Sequence, residues 1–151
     1  MATRSTIALE FADGTVQQVY CHWDGYLSNN GQILQEYYKD PFKLRDLIDL
    51  GDLSSLRPSI GEQHAFSRLD SPLSDEQYEE LYGDMCTFYA RDRGEIGTSA
   101  KKFKDFEDYK FNHQYEEYEY ILRKDGFWYV CQYGKDYELL SAAIQRQVEE
   151  A

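Results

Sequence analysis

Two Asp-Gly dipeptides, Asp13-Gly14 and Asp125-Gly126, lie near the two ends of the chain and constrain it more than any other feature. Each sits between two short runs of β-favouring residues. Glycine accepts positive φ without steric penalty and aspartate bonds its own backbone, so the pair reverses an antiparallel ribbon tightly. Before the first turn, residues 5–11 alternate, with Ile7, Leu9 and Phe11 on one face; residues 15–21 follow it. The second turn joins residues 118–122 to residues 127–131, and is the clearer hairpin of the two.

Between the hairpins the period changes from two to that of a helix. Ile33, Leu34, Tyr37 and Tyr38 share a helical face, and Asp40-Pro41 caps and opens a second helix through Phe42, Leu44, Leu47 and Ile48, closed by Gly51. Residues 53–56 read as a short strand. Ser74 and Gln77 form a capping-box pattern that opens a helix through Tyr78, Leu81 and Tyr82. Residues 85–89 read as a strand. Residues 101–111 space Phe103, Phe106, Tyr109 and Phe111 as either a helix or an irregular segment anchored by its rings. A last helix covers residues 137–148, apolar at Leu139, Leu140, Ala143, Ile144 and Val148. The pattern predicts one α+β domain over residues 1–151: an antiparallel sheet built from the N- and C-terminal hairpins, with several short helices packed on one face.

With 42% hydrophobic residues the chain can bury a core. No apolar run approaches the roughly 20 residues of a membrane helix, and the start lacks a signal-peptide pattern, so a cytoplasmic protein without a membrane partner is expected. Cys21, Cys86 and Cys131 are unpaired by spacing and read as packed reduced thiols. Cys21 and His22 are adjacent on a strand and point to opposite faces, which makes them poor co-ligands. No metal and no cofactor are expected. Phosphate-loop, dinucleotide, zinc-protease and nucleophile-elbow motifs are all missing, which lowers the expectation of an enzyme.

The formal charge is -12, with 28 acids against 16 bases, and it is spread evenly: -5 over residues 1–75 and -7 over residues 76–151. A field of that sign repels phosphate backbones, argues against direct duplex DNA binding and suits a basic protein partner. Fourteen tyrosines supply side chains with an apolar body and a polar tip, suited to half-buried strands or to interfaces.

Three groups of residues are candidate sites. The loop with His22, Trp23, Asp24 and Tyr26 offers an acid–base pair and two stacking rings for a flat ligand, or else a turn anchored by Trp23. Arg91 and Arg93 offer two forks for phosphate or carboxylate, or else pair with the acids around them. Two acidic stretches are the candidate partner-binding surface. The first holds Asp75, Glu76, Glu79 and Glu80; the second holds Asp105, Glu107, Asp108, Glu116, Glu117 and Glu119, interleaved with Tyr115 and Tyr118. Ordered carboxylates can imitate duplex phosphates, though such runs are also ordinary solvated faces.

The opening segment, from Met1-Ala2-Thr3-Arg4-Ser5-Thr6-Ile7 through Tyr20-Cys21-His22-Trp23-Asp24-Gly25-Tyr26, together with Arg91-Asp92-Arg93-Gly94-Glu95 and the Trp128-Tyr129 hairpin, resembles small acidic proteins encoded by tailed bacteriophages and mobile elements. The resemblance carries over no functional residue. It implies an accessory protein that binds and inhibits a host factor, such as a nucleic-acid-handling or anti-phage defence protein. The rival expectation is a nucleotide- or phosphate-ligand-binding module or hydrolase built on the His22–Arg93 groups.

Overall fold

The computed structural model describes residues 2–150. Both Asp-Gly turns form as the sequence predicts. Strand β1 (Ser5–Glu10) pairs antiparallel with β2 (Val16–Cys21), Ser5 opposite Cys21 and Glu10 opposite Val16. Asp13 holds the turn by accepting from the Thr15 backbone N–H and hydroxyl at 2.9 and 2.7 Å. Near the other end, β6 (Tyr118–Leu122) pairs antiparallel with β7 (Trp128–Gln132), and Asp125 accepts from Phe127 N–H at 2.9 Å. Gly14 and Gly126 stand at φ +91° and +89°, where a β-carbon is strained.

The hairpins join edge to edge, and that contact is parallel. Ser5 lies opposite Tyr118 and Leu9 opposite Leu122. Short strands extend the sheet: β3 (Leu53–Ser55) runs parallel to β2, β4 (Thr87–Phe88) pairs antiparallel with β3, β5 (Lys101–Phe103) pairs antiparallel with β2, and β8 (Glu138–Leu139) pairs antiparallel with β7. The result is an eight-stranded, mostly antiparallel sheet of order β4-β3-β2-β1-β6-β7-β8, with β5 on β2. The α+β class holds, and the sheet is mixed at β1/β6 and β2/β3.

Six α-helices among the described residues complete the fold: α1 (Gln32–Tyr37), α2 (Pro41–Asp49), α3 (Asp75–Tyr82), the single turn α4 (Tyr89–Arg93), α5 (Phe106–Asn112) and α6 (Leu140–Glu150). The caps read from the sequence are present. Asp40 accepts from Phe42 N–H at α2, and Ser74 and Gln77 make the reciprocal box at α3. Of the strand expected at residues 85–89, Thr87–Phe88 form β4, and the chain then turns into α4 from Tyr89. The segment at residues 101–111 divides into β5 and α5.

Strand alternation explains how the helices are distributed. Ile7, Leu9, Tyr120, Leu122, Trp128 and Val130 project to one face and meet Leu34, Tyr38, Leu44, Leu47, Ile48, Leu140 and Ala143 from α1, α2 and α6. Ala8, Val16 and Ile121 project to the other, where Phe103 and Tyr109 cover them. All six residues of β1 are therefore buried. Each fully buried aliphatic side chain contributes about 1.5–3 kcal/mol, so the first face carries most of the stability. The expected one-sided helical layer is thus joined by α5 on the opposite face. Phe106 and Tyr109, three positions apart, turn the same side of α5 to the sheet. That second, smaller layer encloses the cavity described next.

Candidate ligand-binding site

The loop at residues 22–26 is organised by the fold around it. His22 Nδ1 lies 2.7 Å from the Tyr20 hydroxyl, and the Trp23 ring meets the His22 ring edge-on at 4.7 Å. Asp24 takes φ +57°, and its side chain accepts weakly from the Tyr26 hydroxyl at 3.4 Å. Buried Tyr120 donates to the Gly25 carbonyl at 2.6 Å and ties the loop to β6. Trp23 and Tyr26 face solvent.

Arg91 and Arg93 have different surroundings. The Arg91 guanidinium donates to the carbonyls of Ile60 and Cys86, both at 2.9 Å, and to wholly buried Asp92 at 3.0 Å. Asp92 also accepts from the backbone N–H of Phe88 and His64. Arg91 therefore ties three chain segments together. Arg93 lies on the surface over the rings of Phe66 and Tyr89, bonded to Glu95 at 2.8 Å. Neither this pair nor the His22 loop lines the cavity under α5.

The acids are placed as follows. Asp75, Glu76, Glu79 and Glu80 are exposed on α3, with Glu79 paired to Arg68. Asp105 caps α5, Glu107 is exposed, and Asp108 accepts from Lys104 N–H and from the Asn112 side chain. Glu116 is half-buried beside Gln114, and Glu117 is half-buried. Tyr115 is exposed; Tyr118 is half-buried and stacks on Tyr120. Glu119 corrects the sequence expectation: its side chain is 1% exposed, so it belongs to no surface. It shares a face of β6 with Ile121, beneath α5. Tyrosine also differs from the interface expectation, since only Tyr26, Tyr37, Tyr115 and Tyr133 of the 14 are exposed.

Glu119 is the centre of a buried polar cluster. The short α5 ends at His113, whose Nδ1 lies 2.6 Å from the Tyr109 carbonyl while its Nε2 contacts Glu119 Oε1. A carbonyl can only accept, so Nδ1 carries a hydrogen. A second proton must lie between Nε2 and the carboxyl, so the pair is imidazolium–carboxylate or imidazole–carboxylic acid, neutral as a unit in either form. The Tyr137 hydroxyl lies 3.1 Å from Glu119 Oε1 and 3.1 Å from the Tyr109 hydroxyl. One proton per phenol orders the chain: Tyr109 donates to Tyr137, and Tyr137 donates to Glu119. Burial pushes both phenols well above their ordinary value, so both stay protonated. Glu119 Oε2 has no partner among the described residues. An unpaired buried acceptor costs about 1–3 kcal/mol, more when charged.

A cavity of about 470 Å³ opens over this cluster. Phe106 of α5, His113 at its end, Tyr129 and Cys131 of β7, Tyr115 and Tyr137 supply its walls; Lys110, Arg123 and Lys135 supply positive charge and Asp136 one negative charge. The Arg123 guanidinium lies 3.6 Å from the Phe106 ring centre and bonds to Glu10 at 3.0 Å. Burial, then the charge of Glu119, push the Cys131 thiol up to about 11, and it donates to the Lys135 carbonyl. Cys21 and Cys86 are likewise free, buried and pushed upward by burial. Among the described residues no three His, Cys, Asp or Glu side chains gather as a metal set.

In the sequence, His113 and Tyr137 carry no mark of a site, and Glu119 reads as a surface acid. The available signal was alternation: Glu119 and Ile121 must share a face, and on a strand apolar on both sides that buries the acid.

Fold and site together define an α+β protein with a ligand-sized cavity on the lesser face of its sheet. Neither a protein family, nor a curated protein, nor a solved structure matches this chain. No helix among the described residues is long and apolar enough to cross a membrane.

Proposed function

We propose that the protein binds a small anion-bearing ring ligand, of the nucleoside monophosphate class, in the cavity between α5 and the β6–β7 hairpin. One observation carries the reading: Glu119, a buried acid whose Oε2 has no partner among the described residues, lines a cavity whose charged rim holds Lys110, Arg123 and Lys135 against one acid, Asp136. A ligand that fits donates an N–H or O–H to Glu119. It lays a flat body among Phe106, Tyr115, Tyr129 and Tyr137, and places its anion near Lys110 and Lys135. The volume falls in the range of small-molecule sites, roughly 300–1,000 Å³. The Tyr129 and Tyr137 phenols and the Cys131 thiol are all pushed upward, which favours their protonated forms, so the reading is of binding and not of covalent chemistry.

The test is thermal unfolding and calorimetry with each nucleoside monophosphate and with inorganic phosphate. A ligand at 100 times its Kd stabilises by about 2.7 kcal/mol, equivalent to roughly 5–10 °C for a domain of this size. Lys110→Ala with Lys135→Ala should weaken binding at least tenfold while the unliganded melting temperature stays put. If no phosphate ligand raises the melting temperature, the reading fails.

A second reading keeps the acidic exterior at its centre, as an accessory protein that docks on and blocks a basic host factor. It is supported by α3, which presents Asp75, Glu76 and Glu80 to solvent beside Leu81, itself 55% exposed. Capture of one host protein by the wild type, lost on Glu76→Lys with Glu80→Lys, is the expected result. Equal capture by both would remove it.

A further inference from the structure

A second cavity lies across the sheet from the first, with an apolar floor in place of a polar one. It measures about 300 Å³ and sits where both hairpin turns meet the start of α2. Its apolar lining includes Leu9, Phe11, Phe42 and Leu122. The one acid lining it, Glu10, is buried and already accepts from Arg123 and from the Lys124 backbone N–H at 3.0 Å. The floor therefore asks nothing polar of a ligand. At its edge stand Lys39, Arg45 and Lys124, none of which makes an ion pair among the described residues. Unpaired cations gathered on one depression of a -12 chain are a local reversal of sign.

The depression continues. A neighbouring cavity of about 330 Å³ shares Lys39 and Gly126 with it and is lined by Phe127, Trp128 and Leu139. Phe42 and Phe127 are 67% and 59% exposed, well beyond what a covered face would leave. An elongated apolar path with Arg45 and Lys124 at one end, Lys39 at the join and an uncharged far end calls for an elongated apolar body with one negative end. We infer that this groove binds a medium-chain acyl carboxylate, its carboxylate on Arg45 and Lys124 and its chain running past Gly126 toward Leu139. Charge complementarity selects the head group, and the second depression selects the length.

Dodecanoate, octanoate and dodecyltrimethylammonium are the probes, each below its micelle concentration. Trp128 lines the far cavity, so its emission reports occupancy in a Trp23→Phe background, with calorimetry as the second readout. Dodecanoate should bind and the cationic surfactant of equal chain length should not. Arg45→Glu with Lys124→Glu, both exposed side chains, should weaken dodecanoate at least tenfold and leave the melting temperature in place. Each methylene buried is worth about fourfold in affinity, and dodecanoate carries four more than octanoate, so full burial should favour dodecanoate by roughly 250-fold, and Leu139→Asp should erase that gap without touching octanoate. Three outcomes overturn the inference: equal binding of the cationic surfactant, affinity unmoved by charge reversal, or a concentration-dependent dimer that buries Phe42 and Phe127 and excludes dodecanoate.

Discussion

Arg91 and Arg93 are two positions apart in one charged motif, and replacing each with alanine should have very different consequences. Arg91→Ala strands Asp92, whose side chain is wholly buried, without its counter-charge. The carbonyls of Ile60 and Cys86 each lose a charged donor at 2.9 Å, and the Phe88 ring loses the guanidinium 4.7 Å from its centre. Removing one partner of a buried ion pair costs about 3–5 kcal/mol. For a domain of this length that lowers the melting temperature by roughly 8–16 °C. Arg93→Ala removes an exposed ion pair, worth about 0.2–1 kcal/mol, and an exposed ring contact of similar size. Its cost should be about 1 kcal/mol. Urea unfolding followed by circular dichroism measures both, and the midpoints should differ by about 1–3 M with unchanged slope. If Arg91→Ala falls within about 1 kcal/mol of Arg93→Ala, the structural assignment of Arg91 is wrong and its fork is free for a ligand.

Gly51 and Gly126 both stand near φ +88°, but a β-carbon at Gly51 would lie 2.4 Å from the Thr98 carbonyl oxygen whereas one at Gly126 meets nothing within 4 Å. Gly126→Ala should cost only the left-handed strain of about 1–2 kcal/mol; Gly51→Ala should cost clearly more, and the reverse order in denaturant unfolding would sink the steric account. Cys131 is raised from its ordinary value of 9.0 to about 11 in the folded protein. Above pH 9 the unfolded chain binds fewer protons there than the native one, so the contribution is complete below pH 9 and is lost as pH rises toward about 11. Urea midpoints across that window should fall less steeply in Cys131→Ala than in the wild type; identical slopes would contradict the assignment.

Local chemistry made the hairpins legible. Asp-Gly turns, alternation at residues 7–11 and the caps at Asp40 and Ser74 are all set by neighbours within a few residues. The parallel contact of β1 with β6 is not, because it joins residues more than a hundred positions apart and no turn records it. That contact decides the site. It places β6 in the interior of the sheet, so both faces of Tyr118–Leu122 are covered and the alternation that reads as polar on one side becomes a buried acid at Glu119. The role of α5 was obscured for a similar reason. Phe103, Phe106, Tyr109 and Phe111 carry no single period, since Phe103 belongs to a strand and Phe111 is exposed while Phe106 and Tyr109 cover the second face.

The charge argument changes scale between sequence and structure. A net charge of -12 governs the field at a distance, and on that scale a basic partner is the natural expectation. Within a few ångströms of a site the field belongs to whichever groups line it. Six of the 16 bases, Lys39, Arg45, Lys110, Arg123, Lys124 and Lys135, line the two cavities on opposite faces of the sheet. Arg123 lines both, held by Glu10 and Phe106. The acids that dominate the total are mostly exposed, on helices, turns and loops, where salt screens them within about 10 Å. A small anion entering either cavity therefore meets attraction at contact although it approaches through a repulsive field, which predicts association that quickens with added salt while the bound complex weakens.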